Sequence, residues 1–253
     1  MQSKLRANYA PAAIGKDNER NAKELAHRRL WAFDYDGVMV PAPTRDDIKG
    51  FLRESYQLIS KIDNVPMNKA REIYVQLRDE NPNLATCSAL IVHKHYPHMN
   101  IEAICSHILD SSKYVHMHNG HAHEIGPQLR GLQYLGIQNV IITNNSAQHV
   151  RRVLQQSGVA HCFDKIVGVE HMGGTCKPEK GSYRITMDLF NAAPRDTILI
   201  DDSVQNIAAA SDLGIFTVHI NGESREQCRE ADMSFPDIKN FLRWHNENVI
   251  LPA

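Results

Sequence analysis

The chain of 253 residues is 42% hydrophobic and 23% charged, with a formal net charge of −1, the make-up of a globular protein able to bury a sizeable core. So even a charge balance excludes the electrostatic footprint of a nucleic-acid or anionic-membrane binder. The five cysteines are scattered, with no CxxC pairing; this speaks against a disulfide framework or a thiolate zinc site and fits a reducing compartment.

The first thirty residues hold no apolar run that could form a signal-peptide core. No later stretch approaches the ~18 apolar residues that span a bilayer, so a cytoplasmic protein is expected. Residues 1–28 read as a polar N-terminal extension, with a loose leading helix in KDNERNAKELAHRR. RLWAFDYD follows, apolar and aromatic, ending in acids and a glycine. It predicts a buried strand that runs into a loop.

From Pro41 to Gly126 the pattern is helical. DDIKGFLRESYQLISKI, KAREIYVQLRDE, NLATCSALIVHKH and NIEAICSHILDSS are separated by Pro and Asn signals. After that the chain alternates. PQLRGLQYLG predicts a helix, NVIIT a strand, SAQHVRRVLQQSG a helix and FDKIVGVE a strand. KPEKGSYRITMDLFN is a helix, DTILID a strand, SVQNIAAASDLG a helix, IFTVHI a strand, and FPDIKNFLRW a terminal helix with Trp244 in the core. Strands alternating with helices imply a parallel sheet covered on both faces. The expectation is an α/β fold: a Rossmann-like parallel core over residues 29–40 and 127–253, split by an all-helical insertion over 41–126.

Ligands of open parallel sheets bind beyond the carboxyl ends of the strands. The first strand ends in Asp34, Tyr35, Asp36 and Gly37, and the second in Thr143, Asn144 and Asn145. Lys177 stands before a helix in CKPEK, and a later strand ends in Asp201, Asp202 and Ser203. Each alone reads as a solvated turn, a helix cap or a surface lysine. Together they gather several carboxylates at one edge, where like charges raise one another's pKa unless a cation neutralises them. Oxygen ligands of this kind suit Mg²⁺. Thr143 and Lys177 add a hydroxyl and a fixed positive charge, as a phosphoryl group requires.

FDYDGVMV, IITNNS, CKPEK and LIDDSVQN, in that order, resemble the four motifs of the haloacid dehalogenase-like (HAD) hydrolase superfamily, over about residues 29 to 220. The insertion resembles that family's helical cap, and the set looks similar to the branch with pyrimidine 5′-nucleotidases and phosphoglycolate phosphatase-like enzymes. The resemblance implies a Mg²⁺-dependent phosphatase acting on a small phosphorylated metabolite, with a nucleotide 5′-monophosphate as one candidate. It implies Asp34 as nucleophile, Asp36 as general acid and base, and Lys177 as the charge-balancing lysine. It implies Mg²⁺ held by Asp34, the Asp36 carbonyl, Asp201 and Asp202, and phosphate held by Thr143, Asn144 and Lys177. Gly37 would let the backbone approach closely at the turn, and Asn206 would brace the fourth loop. Asp36 favours phosphate-ester chemistry, since a departing halide needs no proton. The middle of the insertion, NPNLATCSALIVHKHYP, has no Arg–Gly feature that would single out a pyrimidine nucleotide. A sugar-phosphate or phosphoglycolate phosphatase, a phosphomutase and a non-catalytic HAD-like binding domain are the alternatives.

Eight of the 14 histidines fall between His93 and His123, four of them in HMHNGHAH (His116, His118, His121 and His123). Imidazole binds Zn, Ni or Cu, but nothing in this stretch supplies the supporting shell of a fixed site. It reads as a polar hinge where the insertion returns to the core.

Overall fold

Short apolar runs become six parallel strands in the computed structural model, which describes residues 18–109, 122–220 and 228–249. They are β1 (Leu30–Phe33), β2 (Gln138–Ile142), β3 (Lys165–Val167), β4 (Thr197–Asp201), β5 (Phe216–Ile220) and β6 (Met233–Phe235). Their order across the sheet is β3-β2-β1-β4-β5-β6, all parallel. Residues of a strand alternate between faces. Trp31, Phe33, Ile141, Ile198 and Ile200 therefore join one apolar cluster, and Leu30, Ala32, Val140, Ile142 and Leu199 another.

Helices cover both faces. On the first lie α1 (Asn18–Ala26), α6 (Ala122–Tyr134), α7 (Ala147–Gln156) and α10 (Ile238–Asn248). On the second lie α8 (Lys180–Asp188) and α9 (Val204–Ser211). Between β1 and α6 the chain forms α2 (Arg45–Asp63), α3 (Met67–Glu80), α4 (Ser88–His95) and α5 (Ile101–Leu109). Helix α2 opens on a capping box, in which the Thr44 side chain accepts from the Asp47 N–H and Asp47 answers to the Thr44 N–H. These four helices bury an apolar cluster of their own, including Ile59, Tyr74, Leu90, Ile91, Ile104 and Ile108.

Three local expectations change. The leading helix is not loose: Leu25 is fully buried in the sheet's cluster and Ala22 packs beside it, so a few apolar positions dock an otherwise polar helix. Helix α6 begins at Ala122, ahead of Pro127, and carries that proline inside it; the ring removes one main-chain donor without ending the helix. Strand β6 is an addition, three residues long and fully buried at the sheet's edge. Trp244 packs in the core against Phe235 at 5.9 Å, as expected of the terminal helix. Among the described residues no helix is long and apolar enough to cross a membrane. His116, His118 and His121 lie outside the described residues, and His123 enters only through the backbone of α6.

Candidate active site

The sheet order places a reversal beside β1. From β1 the chain goes to β2 and β3 on one side, then crosses to β4, β5 and β6 on the other. Loops leaving β1 and β4 therefore diverge, and a crevice opens at their carboxyl ends. Phe33 is in register with Ile200, and the Asp34 N–H donates to the Ile200 carbonyl at 2.8 Å. The next residues, Asp34 and Asp201, thus stand side by side although the sequence holds them far apart.

Lys177 bridges these two acids. Its Nζ lies 2.7 Å from Asp34 Oδ1 and 2.7 Å from Asp201 Oδ2, and all three side chains are buried. Asp202 completes the group: Asp34, Asp201 and Asp202 offer carboxylate oxygens that all lie within 4.8 Å of one another. Burial, then the neighbouring Asp201, raises the Asp34 pKa well above the carboxylate range, against the pull of Lys177. Burial and Asp201 likewise push Asp202 up to about 6. The charges of Asp34 and Asp201 hold the Lys177 ammonium firmly protonated despite its burial.

Asp36 sits apart from that trio. Burial pushes its pKa up to about 6, opposed by a hydrogen bond from the Asn145 side chain and by the charge of Lys177. It is a carboxyl able to carry a proton near neutrality, beside one that is fixed by an ion pair.

The loop after β1 is shaped for this. The Met39 and Val40 N–H groups donate to the Tyr35 carbonyl, and the Gly37 N–H donates to Val40. Tyr35, Val38, Met39 and Val40 are buried. Gly37 has φ +80°, and a Cβ there would stand 2.1 Å from Asp202 Oδ2. Gly37→Ala is expected to cost about 1–2 kcal/mol of stability for the left-handed backbone, readable by denaturant titration. Because Asp202 must move aside, it is also expected to weaken divalent-metal binding by ~10–100-fold, readable by calorimetry.

The other predicted residues divide. Asn206 donates to Asp201 Oδ1 at 2.9 Å and to Oδ2 at 3.1 Å, while the Ser203 N–H reaches Oδ1 at 2.9 Å. Asp201 is thereby held by three hydrogen bonds and by Lys177, which leaves Asp202 the less committed oxygen donor. Thr143 follows directly on β2, and its hydroxyl accepts the Asn145 N–H at 3.0 Å, keeping its own proton to donate. The Asn144 side chain turns elsewhere. Its amide nitrogen donates to the Lys177 carbonyl at 2.9 Å, and its oxygen accepts the Lys177 N–H at 2.8 Å. That side chain sets the backbone of the lysine loop, and the same amide lies 3.3 Å from Thr86 Oγ1 of the helical insert.

Three supporting residues escape a sequence reading. Asn145 bonds to Asp36, though at a strand end it reads as a helix cap; the cap itself is Ser146, which accepts the His149 N–H. His219 Nε2 lies 3.1 Å from the Asp202 carbonyl, so that nitrogen is the donor, and burial lowers the pKa of the ring. Its one signal in the sequence is register, since His219 on β5 pairs with Asp201 on β4. Thr86 carries no signal.

The donor set fits a hard divalent cation. Three carboxylates crowd around one lysine, and the proton affinity of Asp34 and Asp202 is raised by burial and then by the neighbouring Asp201. Oxygen ligands and a surplus of negative charge suit Mg²⁺.

The profile of the haloacid dehalogenase-like hydrolase family matches residues 93–220, half of the chain. It spans Thr143, Lys177, Asp201 and Asp202 and begins after Asp34. No curated protein sequence matches. Among solved structures, a HAD phosphatase from Thermococcus onnurineus is 20% identical with a TM-score of 0.56, over 85% of this chain and 96% of that one. The HAD-hydrolase YfnB from Bacillus subtilis, solved bound to magnesium, is 17% identical with a TM-score of 0.52, over 87% and 99%. A predicted phosphoglycolate phosphatase from Haemophilus somnus is 18% identical with a TM-score of 0.53, over 86% and 97%. L-2-haloacid dehalogenases are similar in fold as well, at 10 to 14% identity.

Proposed function

The chain belongs to the haloacid dehalogenase-like hydrolase family, and on that footing we propose that it is a Mg²⁺-dependent phosphatase. Its substrate is a small phosphate monoester, with nucleotide 5′-monophosphates, sugar phosphates and phosphoglycolate as the candidates. The observation that carries this is Asp36, a second carboxyl beside the Asp34–Lys177 pair, pushed up to about 6 by burial. A halide departs without a proton, whereas an alkoxide requires one.

Asp34 attacks phosphorus in line, and an aspartyl-phosphate forms on its carboxylate. Asp36 gives its proton to the departing oxygen and then takes one from the water that releases phosphate. The Lys177 ammonium lowers the Asp34 pKa against the burial that raises it, and so favours the ionised nucleophile. Thr143 donates its hydroxyl, and the lysine loop is held in place by Asn144. Asp34, Asp202 and the Asp36 carbonyl would hold Mg²⁺, with Asp201 nearby, and the ion would supply positive charge to the transferring oxygens.

Purified protein with Mg²⁺ is expected to release inorganic phosphate from one member of a phosphorylated-metabolite panel, and to lose that activity in EDTA. Free phosphate distinguishes hydrolysis from transfer to a second hydroxyl. Activity that persists in EDTA, or chloride released from 2-chloropropionate, would overturn the proposal. Metal binding has a readout of its own in Tm. The raised pKa of Asp202 means that its proton stabilises the fold below pH about 4, and that this contribution is lost as pH rises through about 6. Mg²⁺ is therefore expected to raise Tm more at pH 7.5, where the carboxylates are bare, than at pH 5, where protons compete for them.

A further inference from the structure

The helical insert meets the catalytic loop at two cysteines. Cys87 stands immediately before α4, and Cys176 immediately before Lys177; both are buried and both are free thiols. Cys176 belongs to the apolar cluster of the insert, which it and Val169 join from the core side. Contacts crowd around the pair. Thr86 Oγ1 lies 3.3 Å from the Lys177 carbonyl. Cys87 Sγ lies 3.8 Å from the Asn144 carbonyl, and Cys176 Sγ 3.7 Å from the Asn83 carbonyl. The Asn83 amide also donates to the Glu179 carboxylate. Within this seam the two thiols hydrogen-bond to each other, which raises Cys87, the donor, and lowers Cys176.

Neither sulfur has a part in the reaction above. We propose that Cys87 and Cys176 form a reversible oxidation site, in which a peroxide joins them in a disulfide that fastens the helical insert to the loop of Lys177. The Cys176 thiolate attacks the peroxide O–O bond and takes up OH as a sulfenic acid, while the second oxygen leaves and is protonated to water. The Cys87 sulfur then displaces that OH, which departs as water with the Cys87 proton. Two thiols lose two electrons, and one peroxide becomes two waters. The depressed pKa of Cys176 and its nearness to Lys177 favour it as the attacking thiolate. Both sulfurs are buried in the seam, so the bond fastens insert and core where they already meet. The thiol chemistry is independent of the phosphatase reading; only the effect on turnover rests on it.

The test treats the reduced full chain with hydrogen peroxide, digests it without reduction and maps linked peptides by mass spectrometry. A Cys87–Cys176 peptide is expected as the main new species, with two thiols lost. Phosphate release is expected to fall by at least ~10-fold, as for a lid that cannot open, and to return with dithiothreitol. Cys87→Ser is expected to keep its phosphate release and to withstand peroxide. A Cys87–Cys105 link, sulfinic acid at Cys176 in place of the cross-link, or an unchanged thiol count would each overturn the proposal. Linked peptides and thiol counts decide the matter even for a protein with no phosphatase activity.

Discussion

Asp34→Asn is expected to lower phosphate release by about four orders of magnitude or more while leaving Tm at pH 7.5 equal or higher. The two effects have different causes. An amide cannot serve as the attacking oxygen, so the covalent step is lost. Yet the asparagine oxygen can still accept from Lys177 Nζ and from the Tyr35 N–H, the two partners that Asp34 Oδ1 has now. What disappears is a buried charge that stands against Asp201 and Asp202. Removing it relieves repulsion, and the gain is largest at high pH, where the native carboxylate is ionised. Kinetics of phosphate release, paired with thermal melts at pH 5 and 7.5, separate these outcomes. Activity within tenfold of the parent would remove Asp34 from the mechanism; a large loss of Tm would mean that the substitution acts through folding.

Lys177→Met should do the reverse to stability. Removing the cation leaves Asp34 and Asp201 facing each other with no positive charge between them, in a site where both are buried. Breaking a buried pair in this way typically costs about 3–5 kcal/mol, or on the order of 10 °C in Tm for a chain of this size. One of the acids then takes up a proton to avoid the unpaired charge, so the deficit grows as pH rises. Phosphate release should fall by ~10²–10³-fold through loss of charge stabilisation. The double variant Lys177→Met/Asp34→Asn is expected to regain part of the lost Tm, because the effects of groups in contact do not add. If the double variant is less stable than Lys177→Met alone, repulsion between the acids is not what destabilises the single variant.

The sheet was readable because its central strands are apolar runs buried on both faces, two of them running into an acid, as LWAF–Asp34 and TILI–Asp201 do. The helices were readable from apolar spacing and from stops such as Gly158, which takes a left-handed φ of 71° just past α7. Residues that act by their position at a strand end, namely Asp34, Thr143 and Asp201, follow from that pattern, and the structure brings Asp34, Lys177, Asp201 and Asp202 together. What stayed hidden was set by long-range contact. A three-residue edge strand such as Met233–Phe235 has too little pattern to register. The docking of α1 depends on a few apolar side chains within a charged helix. Nothing local says that the Asn144 side chain would bond to the backbone of a residue 33 positions away, or that Thr86 would reach the same loop.

The place of β1 in the sheet also bears on how the chain is made. Its neighbour on one side is β2, but the other edge pairs with β4, Leu30 with Thr197 through Phe33 with Ile200. During synthesis that edge, carrying Leu30, Trp31, Ala32 and Phe33, has to wait for most of the protein to leave the ribosome. An unpaired apolar edge is a template for association with other chains. Truncated products that end before Thr197 would therefore be expected to aggregate, even with the helical insert folded on its own cluster. Docking of β4 closes that edge and, in the same event, brings Asp201 beside Asp34. The closing of this apolar edge and the assembly of the charged crevice are thus one step.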